Sequence, residues 1–138
     1  MTMGSDKVPT GCQAIFDKSG SKATVSEVCN LVVEVEAKDS LLADDMIDTA
    51  GPVSEAARAL KDLGGRDIYV CATHALLSGP AVERLASAPI TEVTVTDTVM
   101  IPQAKRFSTL CVLSVGELLS KAIRYIHSEQ SVSSLFEQ

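Results

Sequence analysis

The segment SLLADDMIDTAGPVSEAARAL, residues 40–60, decides how this chain is read. Leu41, Leu42 and Ala43 run straight into Asp44 and Asp45. Asp48, Thr49, Ala50 and Gly51 follow, and apolar residues then recur at helical spacing. The opening SLLADD suits a short buried strand. Beyond it, Val53, Ala56, Ala57 and Leu60 fall at i, i+3, i+4 and i+7, one face of a helix. Pro52 fits the first helical turn, where an N–H is not needed, and Gly64 with Gly65 fits the end. Three carboxylates therefore gather where a strand, a small-residue turn and a helix meet.

The same alternation continues outward. DIYVCATH reads as a strand. SGPAVERLASAP reads as a short helix, with Ser78 as candidate cap and Pro80 in its first turn. ITEVTVTDTVMI and FSTLCVLSV read as strands. GELLSKAIRYIHSEQ reads as a helix with Leu118, Leu119, Ala122, Ile123 and Ile126 on its inner face, and SVSSLFEQ as a tail. Upstream, CQAIF and CNLVVEVEA have strand character, and DKSGSKATVSEV between them reads as a loop or lid. Residues 1–13 are polar and irregular, and residues 14–138 form one domain. Strands alternating with helices predict an α/β fold, a largely parallel sheet flanked by helices on both faces.

Bulk properties exclude several classes. A net charge of -6 argues against a nucleic-acid surface and against a basic membrane patch. No apolar run approaches the roughly 18 residues of a membrane span, and MTMGSDK has no signal-peptide core. A soluble cytoplasmic protein is the expectation. Cys12, Cys29, Cys71 and Cys111 lie far apart without CxxC or Cys/His spacing, so no metal site is expected from them; Cys71 and Cys111 read as buried core residues. His74 reads as a packed or capping residue, His127 as a partner for its helix dipole, and Asp97 as a turn or cap residue.

Ligands of open parallel sheets bind outside the carboxyl ends of the strands, where Asp44, Asp45 and Asp48 lie. Carboxylates accept hydrogen bonds only. Adjacent ones suit a vicinal diol, such as the 2- and 3-hydroxyls of a ribose, or a hydrated magnesium ion. The turn Asp48, Thr49, Ala50, Gly51 opens a helix, and its free amides with the helix dipole favour an anion. A diol site beside a phosphate site suits a sugar phosphate. On spacing alone a simpler assignment stays open, in which Asp or Thr caps the helix and the remaining acids are solvated.

LLADDMIDTAG resembles the ribose-5-phosphate motif of the type I phosphoribosyltransferase fold, in the form used by ribose-phosphate pyrophosphokinases (phosphoribosyl diphosphate synthetases). The resemblance runs on through VCATHALLSGPAVERL, TVTDT, VLSVGELLSKAIRYIH and SVSSLF, and upstream through AIFDK and VSEV. It implies transfer of the β,γ-diphosphate of ATP to the 1-hydroxyl of ribose 5-phosphate, with magnesium. Asp44 and Asp45 would hold the ribose hydroxyls, and Asp48, Thr49, Ala50 and Gly51 would wrap the 5-phosphate. Lys18 in DKSGSK matches the catalytic-loop lysine, which would place a cation on the moving phosphoryl group. Ser131, Ser133 and Phe136 match residues lining a regulatory nucleotide-phosphate site between subunits. A homo-oligomer, or a hetero-oligomer with a full-length synthetase, is expected.

The chain also departs from that family. It matches roughly the second of two similar domains, so the resemblance implies an N-terminally truncated fold. The ATP adenine pocket, a metal-binding histidine and an Asp-Ala-Gly-Gly loop would lie in the missing part. Gly20 stands where the family has an arginine two places after the lysine, and Pro52 stands where it has threonine. The resemblance therefore implies either the ribose-5-phosphate half of a synthetase or an inactive regulatory subunit of synthetase oligomers. A transferase acting on a nucleobase fits less well, because the synthetase tail is present.

Overall fold

The computed structural model describes residues 35–136. Strands β1 (Ser40–Ile47), β2 (Ile68–Ala75), β3 (Glu92–Thr96) and β4 (Leu110–Leu113) form one sheet in the order β1-β2-β3-β4, each neighbouring pair parallel. Helix α1 (Gly51–Asp62) joins β1 to β2, and α2 (Ala81–Ser87) joins β2 to β3. A 3₁₀ turn, Gln103–Lys105, lies between β3 and β4. Helix α3 (Gly116–His127) follows β4, and a second 3₁₀ turn, Val132–Leu135, follows α3. The expected α/β class, a parallel sheet with flanking helices, is the observed one, but the two crossover helices do not lie on both faces as expected.

Because the strands add in one direction, right-handed crossovers put α1 and α2 on the same face. They meet there, and Arg58 Nη2 donates to Ser87 Oγ at 3.5 Å. Strand alternation sends two rows of side chains to that face. One row is Leu42, Val70, Val93 and Leu110; the next is Asp44, Ala72, Val95 and Val112. Val53, Ala56, Ala57 and Leu60, the predicted face of α1, close over them with Ala81 and Leu85 of α2. Each fully buried Ile68, Leu77 or Leu85 contributes roughly 1.5–3 kcal/mol by leaving water. The second row begins with a carboxylate, so the core ends where the candidate site starts.

Several expectations need correction. Strand β1 is not buried throughout: alternation turns Leu41 outward, 67% exposed, and the strand runs on to Ile47. Cys71 and Cys111 are free and half-buried rather than core. They share the row Ala43, Cys71, Thr94, Cys111 on the other face, two strands apart. At about 4.8 Å per strand that exceeds disulfide reach. Strand β3 stops at Thr96 because the next residues turn: the Thr98 amide donates to Thr96 Oγ1, and both threonine hydroxyls donate to the Thr73 carbonyl. The expected inner face of α3 is uncovered, with Leu119 55% and Ile123 68% exposed. Among the described elements α3 packs chiefly on the terminal 3₁₀ turn. The end of CNLVVEVEA is a turn, with Ala37 at φ 60°. CQAIF, the DKSGSK loop and the rest of CNLVVEVEA lie outside the described residues.

Two helices end alike. After α1, Gly64 N donates to Lys61 O and Gly65 N to Leu60 O, both at 3.0 Å, with Gly64 at φ 85°. After α3, Glu129 N donates to Ile126 O and Gln130 N to Tyr125 O, with Glu129 at φ 55°. This is a Schellman closure, whose left-handed residue favours glycine. Gly64→Ala is expected to destabilise by about 1 kcal/mol and Glu129→Gly to stabilise by up to a similar amount, the left-handed cost set against unfolded-state entropy. Chemical denaturation of the two variants measures both signs.

Candidate functional site

Strand β1 ends at Ile47, and three residues carry the chain into α1. Buried Ala50 adopts φ 57° and ψ 14°, the left-handed region, and no side chain caps the helix. Neither the aspartates nor Thr49 therefore serves as the side-chain cap that the simpler assignment required.

Each carbonyl of the turn is held by the protein. Ile47 O accepts from the amides of Leu76 and Leu77 at 3.0 and 3.2 Å. Asp48 O accepts from Ser78 N at 2.9 Å, and Thr49 O from Arg84 Nη1 at 2.9 Å. Ala50 O accepts the first helical bond, from Ser54 N at 3.1 Å. In a trans peptide unit the carbonyl and the following N–H point in opposite directions. Fixing the carbonyls of residues 48, 49 and 50 inward therefore aims the amides of Thr49, Ala50 and Gly51 away from their anchors. Among the described residues no backbone carbonyl accepts from the amide of Thr49 or Ala50. The first amides of α1 also lack intrahelical partners. Unpartnered amides at the positive end of a 12-residue helix favour a nearby negative charge. Pro52, exposed in the first turn, supplies no N–H to it.

The acids stand around this turn. Asp48 belongs to it and is exposed. Asp44 and Asp45 both lie within β1, so pleating sends them to opposite faces. Half-buried Asp44 shares the helix-covered face with Leu42, while Asp45 is exposed on the other. Asp45 N donates to Asp44 Oδ1 at 2.9 Å. The acids thus bracket the strand end rather than presenting one side-by-side pair.

The neighbouring strand ends carry a polar network. His74 is exposed, not packed, with Nδ1 2.9 Å from Thr98 Oγ1. Asp97 is a cap-like tether: its Oδ1 accepts from Val115 N at 2.9 Å, fastening the end of β3 to the start of α3. Hydrogen bonds from the Ser114 hydroxyl and the Val115 amide hold the Asp97 carboxyl below its usual range. His127 closes the last turn of α3, as its dipole role required.

The remaining predicted residues lie elsewhere. Ser131, Ser133 and Phe136 are exposed around the terminal 3₁₀ turn, where Ser131 O accepts from Ser134 Oγ and Ser133 O from Phe136 N. A groove of ≈ 410 Å³ between that turn and α3 is lined by Glu117, Lys121, Tyr125, Ser134 and Leu135 among others, but by none of those three residues. Lys18 lies outside the described residues. Among the described residues no three His, Cys, Asp or Glu side chains gather as a metal set, and no helix is long and apolar enough to cross a membrane.

Sequence reasoning missed the support of the turn. Ser78 was expected to cap α2; Pro80 takes the cap position and Ser78 N instead grips Asp48 O. Leu77 at φ 50° and Gly79 at φ 54° shape that supporting loop, and Lys105 Nζ holds Leu76 O at 3.0 Å. The signal was present in ALLSGP, whose glycine and proline mark a turn after β2, but turn chemistry does not reveal which carbonyls it serves.

Comparison with known proteins bears on the same residues. The model of the phosphoribosyl synthetase-associated domain matches residues 16–137. The ribose-phosphate pyrophosphokinase of Caldanaerobacter subterraneus subsp. tengcongensis is 50% identical over 123 residues, 89% of this chain and 39% of that protein. The Bacillus subtilis protein of the same name is 46% identical over 123 residues, again 89% and 39%. The crystal structure of phosphoribosylpyrophosphate synthetase from Mycobacterium smegmatis aligns with a TM-score of 0.69 at 43% identity, covering 71% of this chain and 33% of that one. The chain thus spans about two fifths of the length of the curated relatives it matches.

Two predictions follow from these contacts. Ser54 is buried with no hydrogen-bond partner for its hydroxyl, so Ser54→Ala is expected to stabilise the fold by about 1 kcal/mol in urea denaturation. Asp97 has a lowered folded-state pKa, so its contribution is complete above the unfolded value of about 3.9 and fades as pH falls through the folded one. The stability difference between the wild type and Asp97→Asn should therefore be constant near neutrality and close below about pH 4.

Proposed function

This chain belongs to the phosphoribosyl synthetase-associated family, that of the ribose-phosphate pyrophosphokinases, and from that membership we propose that residues 48–51 hold the 5-phosphate of ribose 5-phosphate. The observation that carries this reading is the outward set of amides at Thr49, Ala50 and Gly51, created by inward-anchored carbonyls. Asp44 and Asp45, on either face of the strand end, accept from the ribose hydroxyls. In this reading the 1-hydroxyl attacks the β-phosphorus of ATP, AMP leaves as its bond to that phosphorus breaks, the hydroxyl proton passes to solvent, and phosphoribosyl diphosphate forms.

The chain carries the ribose-5-phosphate half of that reaction. The same reading assigns most of the ATP site to residues beyond the two fifths of the relatives' length that this chain spans. Magnesium, when bound, would supply positive charge against the diphosphate. The described residues fit it only as a substrate-carried ion, since one or two carboxylates plus phosphate oxygens are its usual partners. Lys18 supplies a cation to the moving phosphoryl group. Ser131, Ser133 and Phe136 serve a regulatory phosphate site in a cytoplasmic homo-oligomer or hetero-oligomer with a full-length synthetase.

Pro52 and Gly20 favour a second reading, a catalytically silent regulatory subunit of such oligomers. Pro52 removes one amide donor and a hydroxyl from the cradle, each worth about 1.5–3 kcal/mol as a charge-assisted hydrogen bond.

Calorimetric titration of ribose 5-phosphate, with and without magnesium, tests the site. Saturable binding is expected, lost in Asp44→Ala and tightened by about tenfold or more in Pro52→Thr. A folded chain that binds nothing overturns the cradle and favours the silent subunit. The chain alone is expected to make no phosphoribosyl diphosphate from ATP and ribose 5-phosphate; turnover by the purified chain would refute the division of the site.

A further inference from the structure

Among the four anchored carbonyls, that of Thr49 is the one held by a side chain. Arg84, on α2, reaches across to it with Nη1 at 2.9 Å. The other three are held by backbone amides. The same guanidinium lies against Gly51, where an added Cβ would come within 3.4 Å of Nη1. Arg84 thus touches the turn at two residues from a separate helix.

We propose that Arg84 is a positioning residue for the phosphate turn: it fixes the Thr49 carbonyl so that the Ala50 amide faces the anion, and it brings a permanent cation to an otherwise acidic loop. The first role follows from peptide geometry, since the Thr49 carbonyl and the Ala50 N–H belong to one rigid unit. Without the guanidinium nothing among the described residues holds that unit, and the left-handed Ala50 beside it is free to relax. The second role follows from charge. Asp44, Asp45 and Asp48 surround the turn, and a phosphate approaching three carboxylates needs a fixed positive group nearby. Arginine suits this better than lysine because its charge persists while one N–H is committed to the carbonyl. Gly51 then has a second purpose: it leaves the space in which the guanidinium lies.

This inference rests on the reading of residues 48–51 as the 5-phosphate cradle, and the test separates the two. The ¹⁵N-labelled chain and its Arg84→Met and Arg84→Lys variants are titrated with ribose 5-phosphate, and in parallel with ribose. Amide exchange at Thr49, Ala50 and Gly51 is followed without ligand. Arg84→Met is expected to weaken ribose 5-phosphate binding tenfold or more, with melting unchanged within a few degrees. It should also speed exchange at Ala50, while Arg84→Lys recovers part of both. Wild-type affinity in a folded Arg84→Met variant overturns the proposal. If the wild type binds no ribose 5-phosphate, the cradle reading falls and ligand-free exchange decides Arg84. Faster Ala50 exchange in Arg84→Met then upholds the positioning role, and unchanged exchange removes it. If Arg84→Met does not fold, the same two readouts on Arg84→Lys decide the matter, full wild-type values counting against it.

Discussion

The structure depends on how four successive carbonyls are held between β1 and α1. Ile47, Asp48, Thr49 and Ala50 each give their carbonyl to a partner inside the protein. The partners of the first three carbonyls come from the loop after β2 and from α2, elements that lie beside β1 only because the sheet is parallel and ordered. The turn is thus a product of the sheet, not a local motif. Its amides face outward because peptide planarity leaves them no other direction once the carbonyls are committed.

This constraint explains why the supporting elements look as they do. The loop after β2 must present the amides of Leu76, Leu77 and Ser78 toward the turn, which accounts for the left-handed Leu77 and Gly79. Buried Leu77 fastens the loop to the core, and Lys105 ties Leu76 from the segment before β4. Helix α2 is short, yet its first turns carry both a core leucine, Leu85, and Arg84. On the next strand, Thr96 and Thr98 fold back on the Thr73 carbonyl, while Asp97 secures the start of α3. All four strands thus end in committed polar groups at the edge where open parallel sheets bind ligands.

Membership of the ribose-phosphate pyrophosphokinase family agrees with this architecture. The helix-covered face of the sheet is closed by α1 and α2, whereas Leu41, Leu113 and the apolar stripe of α3 stay in contact with water. Apolar faces of this kind are stabilised by a covering layer.

How much was legible beforehand varies by element. The helix over residues 51–62 was readable because its apolar spacing, Pro52 and the paired glycines all agreed. The four described strands were readable by composition, and the candidate phosphate turn by its small residues and acids. Less legible was anything set by alternation against a real neighbour. Asp44 and Asp45 look like a pair in the sequence, yet a strand that continues through them sends them apart. The stripe of α3 has core periodicity, but periodicity records a preference for burial and not the presence of a partner. Arg84 and Ser78 carry no local mark of their task, since their contacts with the turn lie 35 and 30 residues away along the chain. By itself the sequence determined the α/β class, the identities of the described helices and strands and the residues of the turn, because periodicity and turn chemistry are local. Tertiary structure decided which way each peptide of that turn faces, because that direction is set by hydrogen bonds to strands and helices distant in sequence.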